Sequence, residues 1–199
     1  QMCIRDRVNG ATRRYIWNSS QLMADVGASD AFYFHYSSGG ELIGYTYKTA
    51  DAETECILVK NQQGDVERVI SADGTVLASY TYDAWGSVLT AEGTLAQQNP
   101  IRYRGYYFDP ETSLYYLQSR YYDPEVSRFI NADVYVSTGQ GILSANMFVY
   151  CLNNPILWID PNGMWPTWGG ISRGLSNAFK GTLSFTNGAA RAVADNMFL

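Results

Sequence analysis

Residues 99–164 restrict the possible folds of this chain more than any other stretch. They read NPIRYRGYYFDPETSLYYLQSRYYDPEVSRFINAD, cross a spacer, and close with CLNNPILWIDPNGM. Tyrosine recurs there in short runs, and Asp-Pro stands at 109–110, 123–124 and 160–161. Tyr favours half-buried strands, because its ring packs while its hydroxyl keeps a polar partner. Asp at the first and Pro at the second position suit a type I turn. Strand, turn and strand in this order give an antiparallel meander with acidic residues at its turns.

Read in detail, 101–108 is a strand and Asp109–Thr112 its turn. Residues 114–122 form the return strand, Asp123–Val126 turns again, and Arg128–Ile130 follows. Leu143, Met147, Phe148 and Cys151 fit one side of a short helix. That helix stops near Asn154, because Pro155 disfavours helical geometry at the residue before it. A short apolar strand, 156–159, feeds the turn Asp160-Pro161-Asn162-Gly163.

Upstream, the same grammar recurs. Val66, Val69 and Ile70 precede Asp73-Gly74, a strong hairpin signal between apolar runs. Val76, Ala78, Tyr80 and Tyr82 fall at even spacing, which predicts one strand face. Asp83-Ala84-Trp85-Gly86 makes the next turn, and FYFHYSSGGELIGYTYK reads as strand, Gly-Gly turn, strand. A single hairpin of this kind buries a face only against its neighbour, so the array predicts a long sheet. The fold class is therefore mainly β, an antiparallel strand-turn sheet, with a short helix near 143–153 and a helical C-terminal tail.

Composition narrows the function. The 199 residues carry 46% apolar and 17% charged side chains, with a net charge of −5 and a pI near 4.8. That balance argues against nucleic acid as a partner, which calls for a basic face. His35 is the only histidine, which argues against His-based catalysis and His metal clusters. Cys3, Cys56 and Cys151 stand far apart with no CxxC, so zinc is not indicated. No cofactor is called for. No apolar run reaches the roughly 18 residues of a membrane span, so membrane insertion by this segment is not expected. The start, QMCIRDR, lacks the apolar region of a signal peptide. Both ends are expected to lie inside a longer protein.

The order NP-x-R-Y-x-G, LYYLxxRYYDP, RF-x-x-x-D, NNP and DPNG resembles the core domain associated with Rhs (YD) repeats, and TYDAWGSVL resembles the YD repeat itself. The resemblance implies four zones: a poorly matched start with a degenerate repeat (1–40), YD-repeat strands (41–98), the core domain (99–164), and the start of a variable C-terminal effector (165–199). It implies an arc of a hollow shell that encloses the effector, secretion or display at the bacterial surface, and an immunity protein cognate to the effector. It also implies self-cleavage in cis by an aspartyl-protease-like pair, with no turnover of an external substrate. Carried over by position, the scissile bond is Met164–Trp165, which follows the motif of Asp160, Pro161 and Gly163. The acids match Asp133 and Asp109, and Arg102 matches the arginine that opens the first strand. Two close carboxylates share a proton, so one can activate water while the other polarises the carbonyl.

Turn capping explains Asp109, Asp123 and Asp160 equally well, since each precedes proline. Arg102, Arg104, Arg120 and Arg128 can equally serve by stacking on tyrosine rings and pairing with acids. The family usually carries Gly where Ser113 and Ser127 stand, and a side chain tolerates positive φ poorly, so both turns are expected to be altered. Beyond Met164, Ile171, Leu175, Phe179 and Leu183 recur as one helix face. Gly170-Ile171-Ser172-Arg173-Gly174 matches a serine-hydrolase elbow but lacks the strand before it and the histidine after it. The alternative to a self-cleaving shell is a non-cleaving structural or adhesive YD-repeat surface protein.

Overall fold

The computed structural model describes residues 2–6, 12–133, 146–164 and 167–168. Among them the chain is mainly β, built of antiparallel strands joined by tight turns. It divides into two compact units. The first takes in 1–60, 66–81 and 88–99; the second takes in 61–65, 82–87 and 100 onward.

The larger sheet has nine strands: β1 (Met2–Asp6), β2 (Thr12–Asn18), β3 (Gln21–Val26), β4 (Asp30–Tyr36), β5 (Leu42–Thr49), β6 (Glu53–Lys60), β7 (Val66–Ser71), β8 (Val76–Tyr82) and β9 (Val88–Glu92). Their order in the sheet is their order in the chain. Side chains alternate between faces. Phe34, Tyr45 and Cys56 are register partners across β4, β5 and β6 and all are buried. Tyr33, Ile43, Ile57 and Val59 are exposed. Ala78 and Tyr80 lie buried on one face of β8 as expected, but Val76 is 52% exposed. The register explains this: Val69 faces Ala78 while Ile70 faces Val76, so Leu77 is an extra residue that puts Val76 out of phase.

Four turns share one frame. At Ser37, Asn61, Ser71 and Asp83 the N–H donates to the carbonyl four residues on, and the glycine three residues on donates back. Those glycines, Gly40, Gly64, Gly74 and Gly86, have φ of 79°, 93°, 90° and 95°. This is a type I turn closed by a left-handed residue, for which glycine is the unstrained choice. The first side chain locks the frame in several of them: Asp83 Oδ1 accepts from Trp85 N at 2.9 Å and from Ser87 N at 2.8 Å.

In the second unit a four-stranded sheet comprises β10 (Tyr107–Asp109), β11 (Leu114–Tyr116), β12 (Tyr121–Asp123) and β13 (Arg128–Phe129). Two long strands expected from the sequence are broken. Residues 101–108 fold back on themselves: Ile101 bridges Tyr107 around a 3-10 turn at Tyr103–Gly105, where Arg104 has φ 55°. Residues 114–122 are two strands, because Leu117 N donates to Arg120 O across a turn with Gln118 at φ 65°. The Asp-Pro turns stand where expected. Ser113 and Ser127 adopt φ of 59° and 58°, so the turns keep their left-handed corner with serine in it rather than being altered.

The core of this unit is aromatic: Tyr103, Tyr106, Tyr115, Leu117, Tyr122, Phe129, Tyr150 and Cys151. Three of its hydroxyls end on consecutive carbonyls of the Asp83–Gly86 turn. Tyr103 donates to Ala84 at 2.8 Å, Tyr122 to Trp85 at 2.6 Å and Tyr115 to Gly86 at 2.9 Å. A Cβ on Gly86 would lie 2.6 Å from the Tyr103 ring, so the glycine is needed for contact as well as for φ.

The expected short helix is reduced to a single 3-10 turn, Cys151–Asn153, which ends at Asn154 before Pro155. Cys151, Leu152 and Asn153 have φ of 49°, 52° and 59°, so its hand is left. Met147 and Phe148 lie exposed in a preceding turn, and Val149 bridges Arg128. Tyrosine burial has overridden the helical spacing there; Leu143 lies outside the described residues. The Tyr103–Gly105 turn is a second element of this kind, where one was expected. A small hairpin, β14 (Trp158–Ile159) with β15 (Thr167–Trp168), was not anticipated. The expected helix from 171 onward and the hydrolase-like elbow lie outside the described residues.

Candidate functional site

The β11–β12 turn sets Arg120 at its end, buried, with its guanidinium carbon 3.6 Å from the centre of the Phe129 ring. Every nitrogen of that group is engaged. Nη1 pairs with Asp133 Oδ2 at 3.1 Å and donates to Met147 O at 3.2 Å. Nη2 pairs with Asp160 Oδ2 at 3.3 Å, and Nε donates to Gly163 O. One arginine thus gathers two carboxylates and the main chain beside Met164. A planar fork of donors suits this role better than an ammonium would.

Asp160 is 1% exposed. Its carbonyl accepts from Tyr106 Oη at 2.8 Å, and that hydroxyl also meets Tyr150 Oη at 3.1 Å. Its carboxylate accepts from Met164 N at 3.1 Å. Burial pushes the Asp160 carboxyl up from its ordinary value; Arg120 and the turn's N–H groups oppose the shift. Burial therefore favours the protonated form. Asp133 has 18% side-chain exposure and is the more open of the pair to water. Its own N–H donates to Met147 O at 3.0 Å, so Met147 fixes both Asp133 and Arg120.

The DPNG turn is clamped from the β11–β12 side. Ser119 Oγ lies 2.8 Å from Asn162 O and 2.6 Å from Gly163 O, with its one proton shared between the two carbonyls. Gly163 has φ 71°, and a Cβ there would lie 2.7 Å from Ser119 Oγ and 2.8 Å from Leu117 O. Only glycine fits. Met164 follows at the surface, 39% exposed.

Of the acids proposed from the sequence, Asp133 lies in this cluster and Asp109 at the far end of the meander. The β10–β11 and β12–β13 turns share one end of the sheet, and the β11–β12 turn with Arg120 occupies the other. Asp109 is buried and caps its own turn, accepting from Thr112 Oγ1 at 2.7 Å and from Glu111 N at 3.3 Å. Arg102 is buried with its guanidinium carbon 4.1 Å from the centre of the Phe108 ring. Asp160, Pro161 and Gly163 form the expected turn. Trp165 lies outside the described residues. The sequence reading gave Arg120 stacking and pairing with unnamed acids, and Asp160 a place in the turn motif. The signal was present: Asp160 lies four residues before Met164, where its side chain can reach the Met164 N–H. Among the described residues no group of three or more His, Cys, Asp or Glu is placed to hold a metal, and no helix is long and apolar enough to cross a membrane.

The chain is 32% identical over 203 residues, 97% of its length, to the tRNA3(Ser)-specific nuclease WapA of Bacillus spizizenii. It is 28% identical over 176 residues, 79% of its length, to the double-stranded DNA deaminase toxin A of Burkholderia cenocepacia. It spans 8% and 12% of those proteins. In fold it is similar to the crystal structure of TcdB2-TccC3, with a TM-score of 0.62 and 21% identity over 82% of this chain and 8% of that one. A Photorhabdus luminescens Tc holotoxin pore gives 0.60 and 20% over 83% of this chain and 8% of that one. The profile of the teneurin YD-shell family matches residues 30–156, and the chain belongs to that family, as an Rhs/YD-repeat shell segment.

Proposed function

We propose that this chain is part of a toxin-enclosing YD shell whose core, 99–164, follows the repeat strands of 41–98 and cuts the backbone between Met164 and Trp165, freeing an effector that begins at 165. The single observation that carries the reading is the joining of Asp133, Asp160 and the Gly163 carbonyl on Arg120. Two relatives named for different activities, a tRNA nuclease and a DNA deaminase toxin, share this segment. A shared shell with a variable cargo accounts for that. Export from the cell and an immunity protein against the cargo belong to the same reading.

In the proposed step, Asp133 takes a proton from water and the water oxygen adds to the Met164 carbonyl carbon. Asp160, paired with Arg120 and accepting from Met164 N, positions that peptide. The C–N bond breaks, Met164 leaves as a carboxyl, and the proton passes to the Trp165 amine. Arg120 aligns the two acids and holds the turn. Asp160 takes the place that the sequence reading gave to Asp109, and Arg120 that of Arg102.

The test uses the full-length protein. Wild type gives a C-terminal fragment whose first residue is Trp165, read by N-terminal sequencing or intact mass. Asp133→Asn and Asp160→Asn remain uncut, while Asp109→Asn and Asp123→Asn are still cut. Cleavage of Asp133→Asn at the wild-type rate would falsify the mechanism. An uncut wild type would leave the structural, non-cleaving reading.

A further inference from the structure

The β14–β15 hairpin straddles the proposed scissile bond. Trp158 faces Trp168 and Ile159 faces Thr167 in antiparallel register. Thr167 Oγ1 also donates to Ile159 O at 3.2 Å. The strand that precedes the DPNGM turn thus pairs with residues beyond Trp165.

From this pairing we infer that Trp158–Ile159 is a recognition strand for the first residues of the downstream region, so that the cleavage unit extends to Trp168. The inference rests on the self-cleavage reading and names what that site recognises: extended backbone, captured by strand addition. The DPNGM turn is then held on both sides. The amino end is held by Asp160, whose carbonyl sits on Tyr106 and whose carboxylate sits on Arg120. The carboxyl end is held by the ladder to Ile159. A backbone tied on both sides of one bond spends more of its time in reach of the acids, which is where much of an intramolecular rate advantage lies. Thr167 and Trp168 are positioning residues in this scheme, and they belong to the cargo rather than to the shell. A two-pair ladder is weak by itself, so it orients the substrate strand without holding the product.

The experiment follows cleavage of full-length protein made by cell-free synthesis, with time points read by gel. Thr167→Pro combined with Trp168→Pro removes the ladder's N–H groups on that strand. Cleavage is expected to slow by about 10–100-fold. Prolines at Ser172 and Leu175, beyond the hairpin, should leave the rate within about twofold of wild type by the same logic. Hydrogen exchange on the same proteins reads Ile159, protected in wild type and exposed in the 167/168 variant, with the nine-stranded sheet protected in both; the Trp158 N–H, which donates to Asn154 O at 3.1 Å, stays protected in both. Loss of the Ile159 protection with unchanged cleavage would overturn the inference, and so would its absence in wild type. An uncut wild type is a different result: it removes the cleavage reading itself, and the recognition strand with it.

Discussion

The Tyr106 hydroxyl donates to the main-chain carbonyl of Asp160 at 2.8 Å and meets the Tyr150 hydroxyl at 3.1 Å. Both rings are buried. Tyr106→Phe keeps the ring's shape but leaves a buried carbonyl and a buried hydroxyl without this partner. The expected cost is about 1–3 kcal/mol, read by denaturant unfolding. Tyr150→Phe breaks only the hydroxyl–hydroxyl contact and should cost less. Equal costs would show that the Asp160 carbonyl gains nothing from Tyr106.

Asp160 predicts a pH signature. Its folded-state pKa is raised above the ordinary value of 3.8, first by burial, with Arg120 opposing. Between the two values the folded chain holds a proton that the unfolded chain has released. Stability from this group is therefore highest below 3.8, falls as pH rises through the window, and stays at its reduced level above the raised value. Asp160→Asn removes the titration. The difference between wild-type and variant melting temperatures should slope across that window and be flat above it.

Ser113 and Ser127 stand at φ 59° and 58°. Left-handed backbone costs a side-chain-bearing residue roughly 1–2 kcal/mol, part of which glycine returns as unfolded-state entropy. Ser113→Gly and Ser127→Gly should each stabilise by about 0.5–1 kcal/mol, additively, since they close separate turns. A destabilised glycine variant would show that the serine side chain supports its turn.

Burial pushes the Cys56 thiol up to about 11 and the Cys151 thiol up to about 12. Both side chains are buried. In a Cys3→Ser background at pH 8, a disulfide reagent should label neither until denaturant is added, because the thiolate is the reacting form. Fast labelling of the native protein at either position would contradict the packing.

The turns were the most legible part of the sequence. Asp73-Gly74, Asp83–Gly86 and the Asp-Pro pairs each carry their own closing geometry, so a local reading sufficed. The strand lengths in 101–122 were missed. Gly105, at φ 72°, closes the first turn with the same pair of backbone bonds as the repeat turns, Arg102 N to Tyr106 O and Gly105 N to Arg102 O, so a signal was present there. Gln118 takes left-handed backbone with no glycine in its turn, and its residue type announces none. That Asp160 and not Asp109 lies across Arg120 from Asp133 was not legible, because both acids open the same Asp-Pro turn, and only the sheet's two ends tell them apart. Arg120 was read as one of several arginines among tyrosines. It does lie over an aromatic ring, Phe129, and it does pair with acids, Asp133 and Asp160; which acids it joins was not legible.

The nine-stranded sheet keeps its strands in chain order, each beside the one made just before it. Every hydrogen-bonded partner is thus near in sequence, and closing each hairpin needs only a short loop. Topologies of this kind fold quickly for all-β structures, since little loop entropy is lost before contacts form. Such a sheet can grow one strand at a time as the chain leaves the ribosome, which synthesises at about 5–20 residues per second. Each new strand covers the edge left by the last. The residues that follow the sheet are made after it, so the downstream region emerges with those nine strands already synthesised.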